Sequence, residues 1–296
     1  MFVNLKARFI KANGLSVEVF ASQKQTDRLA LCLHGFPEHA HSWRYQVDTL
    51  EAQGYMVWAP NLRGYGQTTR PPRVGDYAIE TLLEDVAQLI DESGAHEVVL
   101  LAHDWGAVIA WYFAMRRIRP LRGLVICNVP HPVPMQRELR KWSQLKRSWY
   151  VLFFQLPWLP EWLMGLRPVG ELFLDTATNP GRWSPADIDV FSRNAETFAA
   201  RTAMINYYRA LVRGGGARRQ ARLGYPKIDV PTLMIWGEDD MALTKATTFG
   251  TEQHVNDLTL HYLPGVSHWV QQDAPDAVNA LLKEWLVARF GSDRPE

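Results

Sequence analysis

The sequence predicts an α/β fold: a mostly parallel sheet flanked by helices, with a helical cap inserted between two strands. Three observations lead there. Short apolar runs at 29–33, 55–59, 98–102, 124–127 and 232–236 are bounded by Gly, Pro or Asn, as strands buried on both faces tend to be. Helical periodicity separates the runs, the pattern of strand–helix–strand units. The alternation stops after Asn128 and resumes near Tyr225, leaving roughly a third of the 296 residues as a block rich in Trp, Arg and Leu.

In chain order, Asn13-Gly14 favours a two-residue turn and 15–21 alternates apolar with polar residues, so an antiparallel hairpin opens the chain. At 79–91, Leu82, Leu83, Val86, Leu89 and Ile90 share one helical face, and a last helix is expected near 277–290. The division that follows is a first core part at 1–130, a cap at 131–223 and a second core part at 224–296. Arg213 to Arg219, with three glycines at its centre, reads as a flexible solvated hinge out of the cap.

Composition excludes several classes. Hydrophobic residues at 47% and charged residues at 21% are globular values, so disorder is ruled out. Thirty-two Lys plus Arg against 31 Asp plus Glu gives +1, so no bulk field recruits nucleic acid or an anionic membrane, although local patches stay open. Cys32 and Cys127 lie inside strand-like apolar runs, where a cysteine acts as a small hydrophobe, in keeping with a reducing, cytoplasmic setting. The first ten residues lack the apolar stretch and cleavage site of a secretion signal. The apolar segment 149–166 is broken by Pro157, Pro160 and Glu161, so no stable membrane insertion is expected; its tryptophans suit a pocket wall or an interface.

Four short motifs carry chemistry. Ala102-His103-Asp104-Trp105-Gly106 falls where a strand meets a helix, and its small residues permit the sharp turn that lifts a nucleophile above a sheet. Taken alone, Asp104 is also an ordinary helix cap. No Gly-x-Ser-x-Gly occurs, so no serine is available at that turn. A carboxylate there attacks a saturated carbon bearing a leaving group and forms an alkyl ester that water can hydrolyse. Asp240, in Trp236-Gly237-Glu238-Asp239-Asp240, and His268, in Gly265-Val266-Ser267-His268-Trp269, follow in the order nucleophile, acid, histidine. Asp240 would orient the imidazole, and His268 would take a proton from the attacking water. In His34-Gly35-Phe36-Pro37-Glu38, the loop after a strand can aim the Phe36 N–H beside that of Trp105 as an oxyanion hole, and Pro37 permits a cis bond.

These residues, together with Ser42-Trp43-Arg44-Tyr45-Gln46 and Arg63-Gly64-Tyr65-Gly66, resemble the epoxide hydrolases of the α/β-hydrolase fold, the likeness running from about His34 to Pro275. The resemblance implies two cap tyrosines that grip the epoxide oxygen: Tyr208, within Asn206-Tyr207-Tyr208-Arg209, and Tyr150, opening Tyr150-Val151-Leu152-Phe153-Phe154-Gln155. A phenol with an ordinary pKa near 10 can hydrogen-bond the alkoxide and supply a proton. Packing is the alternative role for both. The implied pocket also includes His34, Pro37, Trp105, Phe153, Phe154 and Trp269. Ala102 and Asn61 depart from the family, which usually has Gly and Asp there, but neither touches the chemistry.

The implied reaction turns an apolar epoxide and water into a vicinal diol without metal or organic cofactor. The small substrate is the one expected partner, nucleic acid is not, and a homodimer stays open. The rival reading is a haloalkane or haloacetate dehalogenase using the same Asp-His-Asp logic, with Trp105 as a halide donor. Haloalkane enzymes tend to carry Asn at position 36 and haloacetate enzymes Arg at position 105, unlike this chain. A third reading is a silent ligand-binding protein on the same fold. An esterase would need another nucleophile, because acyl transfer to Asp104 gives a high-energy anhydride.

Overall fold

At Asn13-Gly14 both residues take positive φ, 47° and 73°, the backbone a two-residue hairpin needs, and Ala12 pairs with Leu15 across the turn. That hairpin, β1 (Leu5–Ala12) and β2 (Leu15–Ser22), is the edge of an eight-stranded sheet in a computed structural model that describes residues 5–291. The extreme amino-terminal residues read above for a leader, and the last five of the second core part, lie outside the described residues.

The remaining strands are β3 (Arg28–Leu33), β4 (Met56–Pro60), β5 (Glu97–His103), β6 (Gly123–Cys127), β7 (Thr232–Gly237) and β8 (Leu258–Leu263). Their spatial order is β1-β2-β4-β3-β5-β6-β7-β8, antiparallel from β1 to β4 and parallel from β4 to β8. Because side chains alternate across a sheet, Leu29, Leu31 and Leu33 feed one core while Ala30 and Cys32 feed the other. Burial on both faces explains why these strands read as unbroken apolar runs. Strand β8 differs: every residue is half-buried and Thr259 and His261 interrupt it, so no apolar run marked it.

The helices at Ile79–Ser93 and Pro275–Phe290 pack against opposite cores, as their apolar faces require. Between β6 and β7 lie only helices, from Pro132–Glu138 to Gly216–Arg222. The expected hinge at Arg213 to Arg219 is corrected here. Gly216–Arg222 is helical, Arg219 pairs with Glu80, and Arg116 bonds Gln220, so the arginines staple the cap's exit to the core. Cys32 and Cys127 are buried and free. No helix among the described residues is long and apolar enough to cross a membrane.

Candidate active site

The motifs that hold Phe36, Asp104, Asp240 and His268 sit at the carboxyl ends of β3, β5, β7 and β8, where open α/β sheets form their crevice, whereas those of Tyr150 and Tyr208 lie in cap helices. Asp104 links β5 to the helix Trp105–Arg116 with φ 46° and ψ −121°, a conformation that costs a non-glycine residue about 1–3 kcal/mol and has to be enforced by its surroundings. The close approach of two loops enforces it. A Cβ on Gly106 would meet the Leu33 carbonyl oxygen at 2.4 Å, and one on Gly35 would meet the Asp104 Cβ at 2.2 Å. Only glycines let the 34–38 loop, joined to its proline by a cis Phe36–Pro37 bond, lie against the elbow.

There the Phe36 N–H donates to Asp104 Oδ1 at 2.6 Å. Among the described residues no acceptor takes the Trp105 N–H, the first of its helix. Asp104 Oδ2 is 3.6 Å from His268 Nε2, too long for a hydrogen bond but close enough for the charges to interact. His268 Nδ1 donates to Asp240 Oδ2 at 2.6 Å. Asp240 also accepts from the Asn128 amide at 2.9 Å and from the N–H groups of Ala242 and Leu243 at 2.7 and 2.8 Å. The side chain of Asp240 is 0% exposed and that of Asp104 is 16% exposed, which decides which acid a substrate can reach.

Burial opposes ionisation of Asp104, but the nearby His268 and the Phe36 N–H hold its carboxyl below the usual range. Asp240 is lowered in the same way: burial opposes, and His268 with Asn128 outweighs it. Burial disfavours the His268 imidazolium, yet Asp240 and Asp104 together push it up to about 10. His268 thus lies between two anions.

Across the crevice stand Tyr150 and Tyr208, ring centroids 5.8 Å apart. Desolvation, then the Asp104 charge, raises both phenols, so they stay protonated. Ring contacts hold them: Tyr208 meets Trp105, Phe36 and Phe154 edge to face at 5.0, 5.2 and 5.0 Å. The neighbouring Tyr207 is different, buried and donating to the Arg63 carbonyl at 2.8 Å.

Two apolar cavities meet at Asp104, Tyr150 and Tyr208. One, of about 620 Å³, is lined by Phe36, Pro37, Phe153, Phe154, His268 and Trp269. The other, of about 370 Å³, passes Trp105, Trp111, Val129, Met135 and Leu243. His34, expected in the pocket, borders neither. It is fully buried, donating through Nδ1 to the Gly35 carbonyl at 2.9 Å and accepting the Leu62 N–H on Nε2 at 3.1 Å. Burial pushes its pKa down to about 4, so it is a neutral brace under the loop.

Three bracing groups carried no assigned role in the sequence reading. Buried Glu38 accepts from the Gly35 N–H at 2.6 Å and from Gln272 at 2.9 Å, and lies 2.8 Å from His103 Nδ1. His103 Nε2 donates to the His268 carbonyl at 2.9 Å, so one buried pair joins the 34–38 loop, the elbow and the loop of His268. Asn128, with φ 46° at the end of β6, is the third. Glu38 and His103 stood inside quoted motifs without a part in the chemistry, and Asn128 marked only where the strand–helix alternation stops.

A nucleophile elbow, a histidine–acid pair and a loop aimed at the elbow define an α/β hydrolase whose elbow carries a carboxylate. The family described as alpha/beta hydrolase fold matches residues 31–275. The chain is 37% identical over 290 residues to epoxide hydrolase 3 of Xenopus tropicalis, spanning 95% of this chain and 77% of that one. It is 30% identical over 316 residues to epoxide hydrolase A of Mycobacterium tuberculosis, at 95% and 97% coverage. Potato (Solanum tuberosum) epoxide hydrolase I superposes with a TM-score of 0.84 at 25% identity, covering 96% of this chain and 99% of that one. The chain belongs to the epoxide hydrolases of the alpha/beta hydrolase fold family.

Proposed function

We propose that this enzyme hydrolyses an apolar epoxide to a vicinal diol through an alkyl ester on Asp104, in a cap at 131–223 closing over core parts 1–130 and 224–296. Asp104 Oδ2, the oxygen free of the loop, attacks an epoxide carbon; the C–O bond opens, and the alkoxide takes a proton from Tyr208 or Tyr150. Oδ1 becomes the ester carbonyl. Esterification removes one of the two anions that raise the His268 pKa, so the histidine becomes a better base when one is needed. It then takes a proton from water, which attacks the Asp104 carbonyl carbon. The Phe36 and Trp105 N–H groups stabilise the oxyanion on Oδ1, and collapse releases the diol with the former Oδ2, which takes the water's second proton, while the proton on His268 returns to the phenolate and leaves the Asp104 carboxylate.

The observation that carries this reading is the pair of protonated phenols facing a carboxylate whose second oxygen is already held by a backbone N–H. Pro37, Phe153, Phe154 and Trp269 supply apolar walls on the 620 Å³ side and Trp105 on the other, which suits an epoxide with apolar groups. A dehalogenase needs donors to a halide, whereas phenols aimed at the crevice suit an oxygen that must be protonated. The test is a panel of epoxides beside a panel of haloalkanes. Diol formation is expected; halide release without diol contradicts the reading.

A further inference from the structure

The cap segment from 142 to 156 carries a second apolar face, turned away from the core. Trp142, Leu145, Trp149, Leu152 and Leu156, spaced three and four residues apart, form one stripe along the helices Trp142–Leu145 and Trp149–Phe153, and the stripe faces outward. Trp142, Trp149 and Leu152 are 73%, 62% and 64% exposed. The inward face is already filled: Gln144 is buried, bonding Ser148 and the Ala242 carbonyl, and Tyr150, Val151 and Phe154 pack on the core, so the outer stripe is surplus to the cap's own packing. The next helix, Leu159–Met164, continues the apolar surface with exposed Trp162 and, just before it, exposed Trp158. A continuous exposed apolar surface of this kind marks a partner.

Charge indicates which partner. From 139 to 167 five side chains are cationic and one, Glu161, is acidic; Lys141 pairs with Glu138 and Arg167 with Glu171 and Asp175, which leaves Arg140, Lys146 and Arg147 as the local excess. Glu161 is buried and neutralised by Arg209 at 2.5 Å. Arg140 and Lys146 are exposed and make no ion pair among the described residues. Tryptophans and leucines beside unpaired Lys and Arg suit the boundary of an anionic bilayer, where indoles sit at headgroup depth. A second copy of the chain fits poorly, because a two-fold contact would lay this cationic stripe on itself. The stripe is also continuous with the cavity mouths, since Lys146 and Trp149 line the 620 Å³ cavity and Leu145 and Leu152 the other.

We propose that this stripe docks the enzyme on an anionic phospholipid surface, with the cavity mouths turned toward the acyl chains. The docking is peripheral and needs no spanning helix. It also stands apart from the reaction, because binding is measured without substrate.

The full chain is to be sedimented with vesicles of phosphatidylcholine alone and with vesicles in which about a third of the lipid is phosphatidylglycerol. Binding to the anionic vesicles is expected, weakening as salt rises from about 0.02 to about 0.5 M. Trp142→Ser combined with Leu156→Ser removes the ends of the stripe outside both cavities. It should lower vesicle affinity about ten-fold or more while turnover of a water-soluble epoxide stays unchanged. Arg140→Gln should cost about five-fold. No binding at low salt, or binding unaffected by the double variant, overturns the proposal. So does lipid-free sedimentation velocity showing a dimer that the double variant dissolves.

Discussion

The two walls of the crevice are held in different ways. On the core wall every proposed reacting group is tied by hydrogen bonds: Asp104 by the Phe36 N–H, His268 by Asp240, and Asp240 by Asn128 and two backbone N–H groups. On the cap wall Tyr150 and Tyr208 are placed by ring packing, whose edge-to-face contacts fix position less sharply than a charged hydrogen bond. The core wall suits the proposed ester chemistry, which would be the same for every substrate. The cap wall meets an oxygen whose position depends on the substrate's shape. Fixed geometry serves the constant step, and packed geometry serves the variable one.

The sharpest way to break this comparison is Asp104→Asn, which keeps the shape of the core wall and removes the nucleophile. Turnover should fall by about 10⁴-fold or more with the fold intact, read by steady-state kinetics beside circular dichroism. Retained activity would move the chemistry away from the elbow.

His268→Gln spares the first step and blocks the second. An adduct of one substrate mass should accumulate, seen by intact-protein mass spectrometry, with steady turnover reduced by about 10²–10⁴-fold. The same residue gives a pH signature. Its folded pKa, about 10, lies above the ordinary value near 6.5. Its contribution to stability is therefore complete below pH ~6.5 and is lost as pH rises through about 10. Thermal unfolding should show a smaller loss of stability over that window in His268→Gln than in the parent chain; equal losses would contradict the raised pKa.

On the cap wall, Tyr208→Phe should slow alkylation by about 10²-fold or more and leave ester hydrolysis nearly unchanged in single-turnover kinetics. Equal slowing of both steps would assign Tyr208 a packing role. The smallest effect belongs to Tyr207→Phe, which loses the hydrogen bond to the Arg63 carbonyl. It should cost about 1 kcal/mol in denaturant unfolding and little activity, separating adjacent tyrosines into a cap tie and a reacting group.

The core wall was the more legible in sequence because strand-end chemistry is local. The residues around Asp104, the Phe36 loop and the strands at β3, β5, β6 and β7 announce themselves within a few positions. Glu38, His103 and Asn128 were harder, since their role is to join segments up to about 165 residues apart. A motif displays a residue without displaying its long-range partner. His34 misled for the same reason: two residues before Phe36 in sequence, it turns its ring to Leu62 beneath the loop. The cap helix at Gly216–Arg222 was hidden by its glycines, because the pairing of Arg219 with Glu80 and of Gln220 with Arg116 is tertiary. Edge strand β8 lacks the apolar run that double-sided burial gives its neighbours.

The claim on which both walls depend is that a carboxylate oxygen of Asp104 passes into the product. A single turnover in water enriched in oxygen-18, with enzyme in excess, tests it directly. The diol should emerge unlabelled while the peptide containing Asp104 gains the heavy isotope. A labelled diol with an unlabelled Asp104 would mean that water attacks the epoxide itself and that no ester forms.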